Sequence, residues 1–139
     1  MKLLSMVLVL ASGCASAADH PVPEAPAPIQ SGAVATVGAP APDFVLPGTD
    51  GKLGRLSDHA GRVVVLEWFN PDCPFVEYAH EKGPLKSLPT TWSEKGVVWL
   101  PINSNAPGKQ GAGMARNARS VTDWTLPEPV LWDSSGAVG

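Results

Sequence analysis

Short apolar runs separated by glycine, proline and polar breaks organise the chain from residue 44 onward. The clearest run is Val63-Val64-Val65-Leu66-Glu67-Trp68-Phe69. An unbroken, β-branched stretch of this kind predicts a buried strand, here the central one. Alternation along it sends Val65, Glu67 and Phe69 to one face and Leu66 and Trp68 to the other. Val97-Val98-Trp99-Leu100-Pro101-Ile102 predicts a second buried strand. Between the two, residues 74–82 read as a helix stopped by Gly83-Pro84. Leu85, Leu88 and Trp92 continue a looser helical pattern, which Pro89 breaks. Strand, helix, strand in that order predicts a right-handed βαβ unit with residues 63–69 and 97–102 as parallel neighbours. Upstream, Phe44-Val45-Leu46 is a short strand. The turn signal Thr49-Asp50-Gly51-Lys52 lets residues 53–56 pair back as a hairpin, and Ser57 or Asp58 starts a short helical turn. Downstream, residues 103–113 form a polar loop, residues 114–124 a second helix ending before Pro127, and Val130-Leu131-Trp132 a short strand followed by the turn Asp133-Ser134-Ser135-Gly136.

Length and charge narrow the class. A chain of 139 residues holds one domain. A net charge of −3 with 17% charged residues leaves no basic footprint for nucleic acid. Six of the fifteen prolines lie between Pro21 and Pro42, so residues 18–36 read as an extended, semi-rigid tether. The first residues form an export signal: Lys2 is positive, residues 3–10 are an apolar run too short to span a bilayer, and small residues follow. Two endings compete. Ala15-Ser16-Ala17 fits small-x-small cleavage and gives a signal over residues 1–17. Ala11-Ser12-Gly13-Cys14 resembles a bacterial lipobox, with alanine where leucine is preferred and Cys14 as the lipidated, membrane-attached first residue. Either ending exports the protein, to the periplasm or to a membrane as an anchored lipoprotein. Either also leaves a single thiol in the domain and no internal disulfide.

That thiol, Cys73, is the candidate nucleophile. It follows the turn Asn70-Pro71-Asp72 and directly precedes Pro74. Proline is favoured at the first helical position, so Cys73 is expected to cap a helix N-terminus that Pro74 and Phe75 open. The positive end of a helix favours a thiolate, the reactive form. Asp72 opposes this with a negative charge beside the sulfur. Glu67 is a carboxyl in an apolar strand, where desolvation disfavours its charged form and suits it to proton transfer. Its competing reading is a structural acid, at the sheet edge or paired to a lysine. His80 returns to nearly the same helix face as Cys73, but two turns, roughly 10 Å, exceeds direct proton transfer, and it reads as a surface or packing residue. His20 lies in the tether and His59 in a loop. One thiol and scattered histidines make no metal site, and no cofactor is implied. Pro107-Gly108-Lys109-Gln110-Gly111 lacks the Gly-Lys-Ser/Thr of a phosphate loop. Arg116 and Arg119 read as a solvated helix face, and Trp68, Trp99, Trp124 and Trp132 as core.

The string Glu67-Trp68-Phe69-Asn70-Pro71-Asp72-Cys73-Pro74-Phe75-Val76 resembles the wider family of thioredoxins, peroxiredoxin-type (alkyl hydroperoxide reductase/thiol-specific antioxidant) proteins and exported redoxins. Val37-Gly38-Ala39-Pro40-Ala41-Pro42-Asp43-Phe44 looks like the opening of a redoxin domain, and Leu46, Asp50-Gly51-Lys52, Leu56-Ser57-Asp58 and Gly61 follow the same pattern. The resemblance spans residues 37–139. It implies an α/β, thioredoxin-like fold, with Glu67 at the offset of the buried carboxylate that serves proton transfer in thioredoxins. Redoxins continue into a further helix, a cis-proline loop, an antiparallel hairpin and a last helix. The sequence carries none of these, so the domain is expected to be incomplete at its C-terminus.

Two departures from the family patterns bear on chemistry. Val76 stands where a dithiol oxidoreductase has its second cysteine, which removes intramolecular disulfide exchange. Asn70 stands where peroxiredoxins carry threonine or serine, and its amide can still donate toward a peroxide or thiolate. The implied activity is a thiol oxidoreductase or peroxide-reducing antioxidant, with a peroxide or disulfide as substrate and an external thiol as reductant. The alternative is a non-catalytic thioredoxin-like module that docks a partner at the cell envelope. Loss of the second cysteine favours that alternative, and the Cys-Pro helix start disfavours it.

Overall fold

Parallel pairing carries the architecture. In the computed structural model, which describes residues 34–139, β3 (Val64–Trp68) pairs in parallel with β4 (Val98–Asn103), and β4 pairs in parallel with β5 (Leu131–Trp132). The export segment, Cys14 and the tether up to residue 33 lie outside the described residues. Register sets Leu66 opposite Leu100 and Glu67 opposite Pro101, so the two strands present matching faces. Parallel strands need a long crossover. The first is α1 (Pro74–Glu81), a single 3-10 turn at Pro84–Lys86, and α2 (Leu88–Ser93); the second is α3 (Met114–Asp123).

Each face of the sheet has its own cover. Val98, Leu100, Ile102 and Leu131 meet Phe44 and Leu46 in one buried cluster, with Val64, Leu66 and Leu56 packed against it. Leu46 lies in, and Phe44 just before, an antiparallel hairpin of β1 (Val45–Pro47) and β2 (Leu53–Arg55). Its turn forms because Asp50 Oδ1 accepts from the Lys52 N–H while Gly51 takes φ +80°, which a side chain would resist. The hairpin is tied to β5 through the Thr49 N–H, which donates to the Val130 carbonyl at 3.1 Å. The opposite face carries Glu67, Trp99 and Asn103: Glu67 bonds to His80 of α1 and accepts from Trp99, and Asn103 donates to Asn117 of α3.

Three expectations need correction. Within the described sheet the middle strand is β4, not β3, because β5 adds to the far side of β4. Pro89 does not break the pattern; it sits in the first turn of α2, where its missing N–H is not needed. Trp68 is 55% exposed rather than core, because it lies at the end of an edge strand.

Candidate functional site

Cys73 is the N-cap of α1 and Pro74 opens the helix, as the Cys-Pro order predicts. The loop that delivers it is built by local bonds. Asn70 Oδ1 accepts from the Asp72 N–H at 3.0 Å, and the Asn70 carbonyl accepts from the Cys73 N–H at 3.1 Å. Such an Asx turn reverses the chain within three residues of the strand end. Asn70 therefore spends its side-chain oxygen on the loop, leaving its amide nitrogen for any donation. The thiol is partly exposed, and beside it Phe75 projects into solvent at 84% exposure.

A second layer grips this loop from β4, α3 and the segment between them. Arg116 Nε donates to Asp72 Oδ1 at 2.6 Å, and its Nη2 donates to the Pro71 carbonyl at 2.7 Å. Gln110 Nε2 donates to the Asp72 carbonyl at 2.8 Å. Gly111 packs so tightly on Asn70 that a Cβ there would overlap its Oδ1. Fully buried Asn103 fixes that contact by donating through Nδ2 to the Gly111 carbonyl at 2.7 Å and to Asn117 Oδ1 at 2.8 Å. Arg116 is thus not a solvated helix residue; α3 runs past the cysteine loop and turns its guanidinium onto it.

Behind the loop lies a buried polar cluster. Glu67 Oε1 is 2.8 Å from His80 Nε2, and Glu67 Oε2 accepts from Trp99 Nε1 at 2.7 Å. His80 is 2% exposed, stacks on Trp124 with centroids 4.8 Å apart and planes at 3°, and meets the edge of Phe69. Among the described residues its Nδ1 has no hydrogen-bond partner. The partner of Glu67 is therefore a histidine and a tryptophan, not a lysine. Residues on β3, α1 and β4 converge here, so no single run of sequence displays the cluster. A cavity of about 680 Å³ opens beside the loop, lined by Pro71, Asp72, Glu77, His80, Arg116 and Trp124 among others.

A family model described as the AhpC/TSA family matches residues 37–139. The chain belongs to the AhpC/TSA family. Its fold is thioredoxin-like, and the solved structures it resembles agree. One is a hypothetical protein from Sinorhizobium meliloti 1021, 27% identical with TM-score 0.65, the match covering 76% of this chain and 58% of that one. Another is an uncharacterized conserved protein from Geobacillus kaustophilus, 27% identical with TM-score 0.64, covering 70% of this chain and 52% of that one. A third is the pneumococcal exposed lipoprotein thioredoxin of Streptococcus pneumoniae, 27% identical with TM-score 0.52, covering 68% of this chain and 67% of that one. The AhpC/TSA chain described here thus spans a little over half the length of the first two. No curated protein matches its sequence.

Set against that family, the structure gathers Cys73, Asn70, Pro74 and Phe75 at one end of β3 and places Glu67 inward on the same strand. His80 is a packing residue, as one of its two sequence readings has it; what sequence reading missed is its bond to Glu67, and the contacts of Arg116 and Gln110 with the cysteine loop. For His80 a signal existed: it is seven residues after Cys73 and so on nearly the same helix face. Nothing in the sequence marks Arg116 as the residue that meets Asp72, 44 positions away.

Proposed function

We propose that the protein is an exported thiol oxidoreductase that acts through a single nucleophile, Cys73. The observation that carries this reading is the N-cap position of Cys73, on a loop braced by Arg116 and Gln110 and open to solvent. A braced, partly exposed sulfur at the positive end of a helix suits nucleophilic attack. With a peroxide, the thiolate bonds the nearer oxygen, the O–O bond breaks, and the leaving alkoxide or hydroxide takes a proton, giving a sulfenic acid. An external thiol then condenses with the sulfenic acid, releasing water and forming a mixed disulfide; a second thiol displaces Cys73 and leaves as a disulfide. With a disulfide substrate, Cys73 attacks one sulfur directly and expels the other as thiolate. Val76 in place of a second cysteine removes Cys-x-x-Cys exchange, and an external thiol serves as the reductant in both routes. Glu67 would supply or take the proton, and the Asn70 amide would orient the oxidant.

Export rests on the signal within residues 1–17; where it is cut before Cys14, the lipid on Cys14 is the membrane anchor, and residues 18–36 belong to the spacer that leads to the domain at 37–139. That one similar structure is an exposed lipoprotein thioredoxin supports this reading. Cys14→Ala should abolish lipid labelling; labelling that persists would exclude the anchor.

The test of the central claim is site-resolved chemistry. Cys73 should label with iodoacetamide at neutral pH and, after hydrogen peroxide, form a dimedone adduct identified on its peptide. Cys73→Ser should lose both the adduct and all thiol-dependent turnover, since serine without an adjacent base is a far poorer nucleophile. A Cys73 that neither labels nor oxidises would leave the second reading, a non-catalytic module. The strongly exposed Phe75 and Tyr78 of α1 are the observation in its favour.

A further inference from the structure

We infer that Arg116 is a positioning residue for Cys73, acting through Asp72 rather than on the sulfur. The inference deepens the reading of Cys73 as a nucleophile and rests on it. Asp72 immediately precedes Cys73, and an unpaired carboxylate there would oppose the formation of a thiolate. The structure pairs that carboxylate with the Arg116 guanidinium at 2.6 Å. The same guanidinium reaches the Pro71 carbonyl at 2.7 Å, so one side chain both neutralises the charge and holds the turn that carries the sulfur. Arginine suits this dual task because its planar fork presents several donors in fixed directions. Both members are partly buried, with side-chain exposures of 27% and 35%, so the pair is less screened than a free surface pair. The other charged or titratable groups around the adjoining cavity are Glu77, His80 and Glu81 of α1, Lys86, and Asp123 of α3. Among the described residues, Arg116 alone makes an ion pair with Asp72.

The experiment measures the rate of Cys73 alkylation by iodoacetamide in the full chain carrying Cys14→Ser, at pH 6 and at pH 9.5. Arg116→Gln leaves the Asp72 carboxylate unpaired. Its rate should fall roughly three- to ten-fold at pH 6, the effect of one unit charge within several ångströms in a half-solvated setting. At pH 9.5, above the ordinary value of a free thiol, the deficit should largely close. Asp72→Asn combined with Arg116→Gln should recover the pH 6 rate, and Arg116→Lys should recover much of it by restoring the charge. A merely structural role would slow both pH values alike and would not be rescued by removing Asp72. Equal pH 6 rates for wild type and Arg116→Gln would overturn the inference, as would a double variant as slow as the single one. Should Arg116→Gln fail to fold by circular dichroism, Asp72→Asn decides: a pH 6 rate above wild type supports the inference and a rate at or below it refutes it. A wild-type Cys73 no faster than glutathione at pH 6 would count against the nucleophile itself, while the ratios among variants still report on Arg116.

Discussion

Replacing Glu67 by leucine should destabilise the domain by about 2–4 kcal/mol. The figure follows from the two groups the change strands. Trp99 Nε1–H loses its acceptor at 2.7 Å, and His80 Nε2 loses its partner at 2.8 Å. An orphaned buried polar group costs about 1–3 kcal/mol, so two give about 2–6. Removing a largely buried carboxylate recovers part of its own desolvation, which places the expectation in the lower half of that range. Glu67→Gln separates geometry from charge. Its amide oxygen can keep the Trp99 bond, and its NH2 can donate to His80 Nε2 if the ring proton sits on Nδ1. Nδ1 has no partner among the described residues, so the exchange still costs about 1 kcal/mol. Urea denaturation of wild type and both variants, fitted with a common m-value, measures the differences. A leucine variant within about 0.5 kcal/mol of wild type would show that the cluster is not held as described. Glutamine as costly as leucine would mean that the charge, not the bonding pattern, stabilises the site. The comparison also protects the functional test, because only the milder variant leaves a fold in which slower turnover can be assigned to proton handling.

Other outcomes follow from single features. Burial pushes the Asp133 carboxyl up, but the Val138 N–H, the Ser104 hydroxyl and the N–H groups of Gly139 and Ala137 outweigh it and hold the group below the usual carboxylate range. A carboxyl depressed in the folded state contributes stability above its unfolded value of about 4, and that contribution is lost as pH falls through the folded value. Asp133→Asn should therefore be less stable at pH 7 and show a shallower loss of stability below about pH 4, read by denaturation across pH. Gly111→Ala meets both φ +72° and the Asn70 side chain, so it should cost about 1–3 kcal/mol and slow Cys73 alkylation. Gly108→Ala, at φ +80° with none of the described residues within 4 Å of the new Cβ, should cost only the smaller backbone strain and leave alkylation unchanged. Equal effects at the two glycines would separate the loop contact from the site.

The elements and the cysteine were legible in the chain because their causes are local. Apolar runs place β3 and β4, the Asp50-Gly51 turn folds the hairpin, and the Cys-Pro order sets the start of α1. Glu67 stood out by the same logic, as a charge interrupting an apolar run. Partners were not legible. The bonds from Glu67 to His80 and Trp99 join residues 13 and 32 positions apart, and the Asp72–Arg116 pair spans 44. A histidine two turns along a helix looks remote from the cysteine when distance is counted along the axis. It becomes part of the site because α1 lies against β3 and turns that face toward Glu67. Likewise, an arginine in a polar helix carries no local mark of what it will meet. Its partner was decided when the second crossover laid α3 beside the cysteine loop, a consequence of the parallel pairing of β4 with β5. Local sequence determines the shape of each segment, whereas the charge and support around Cys73 depend on packing between segments far apart in the chain.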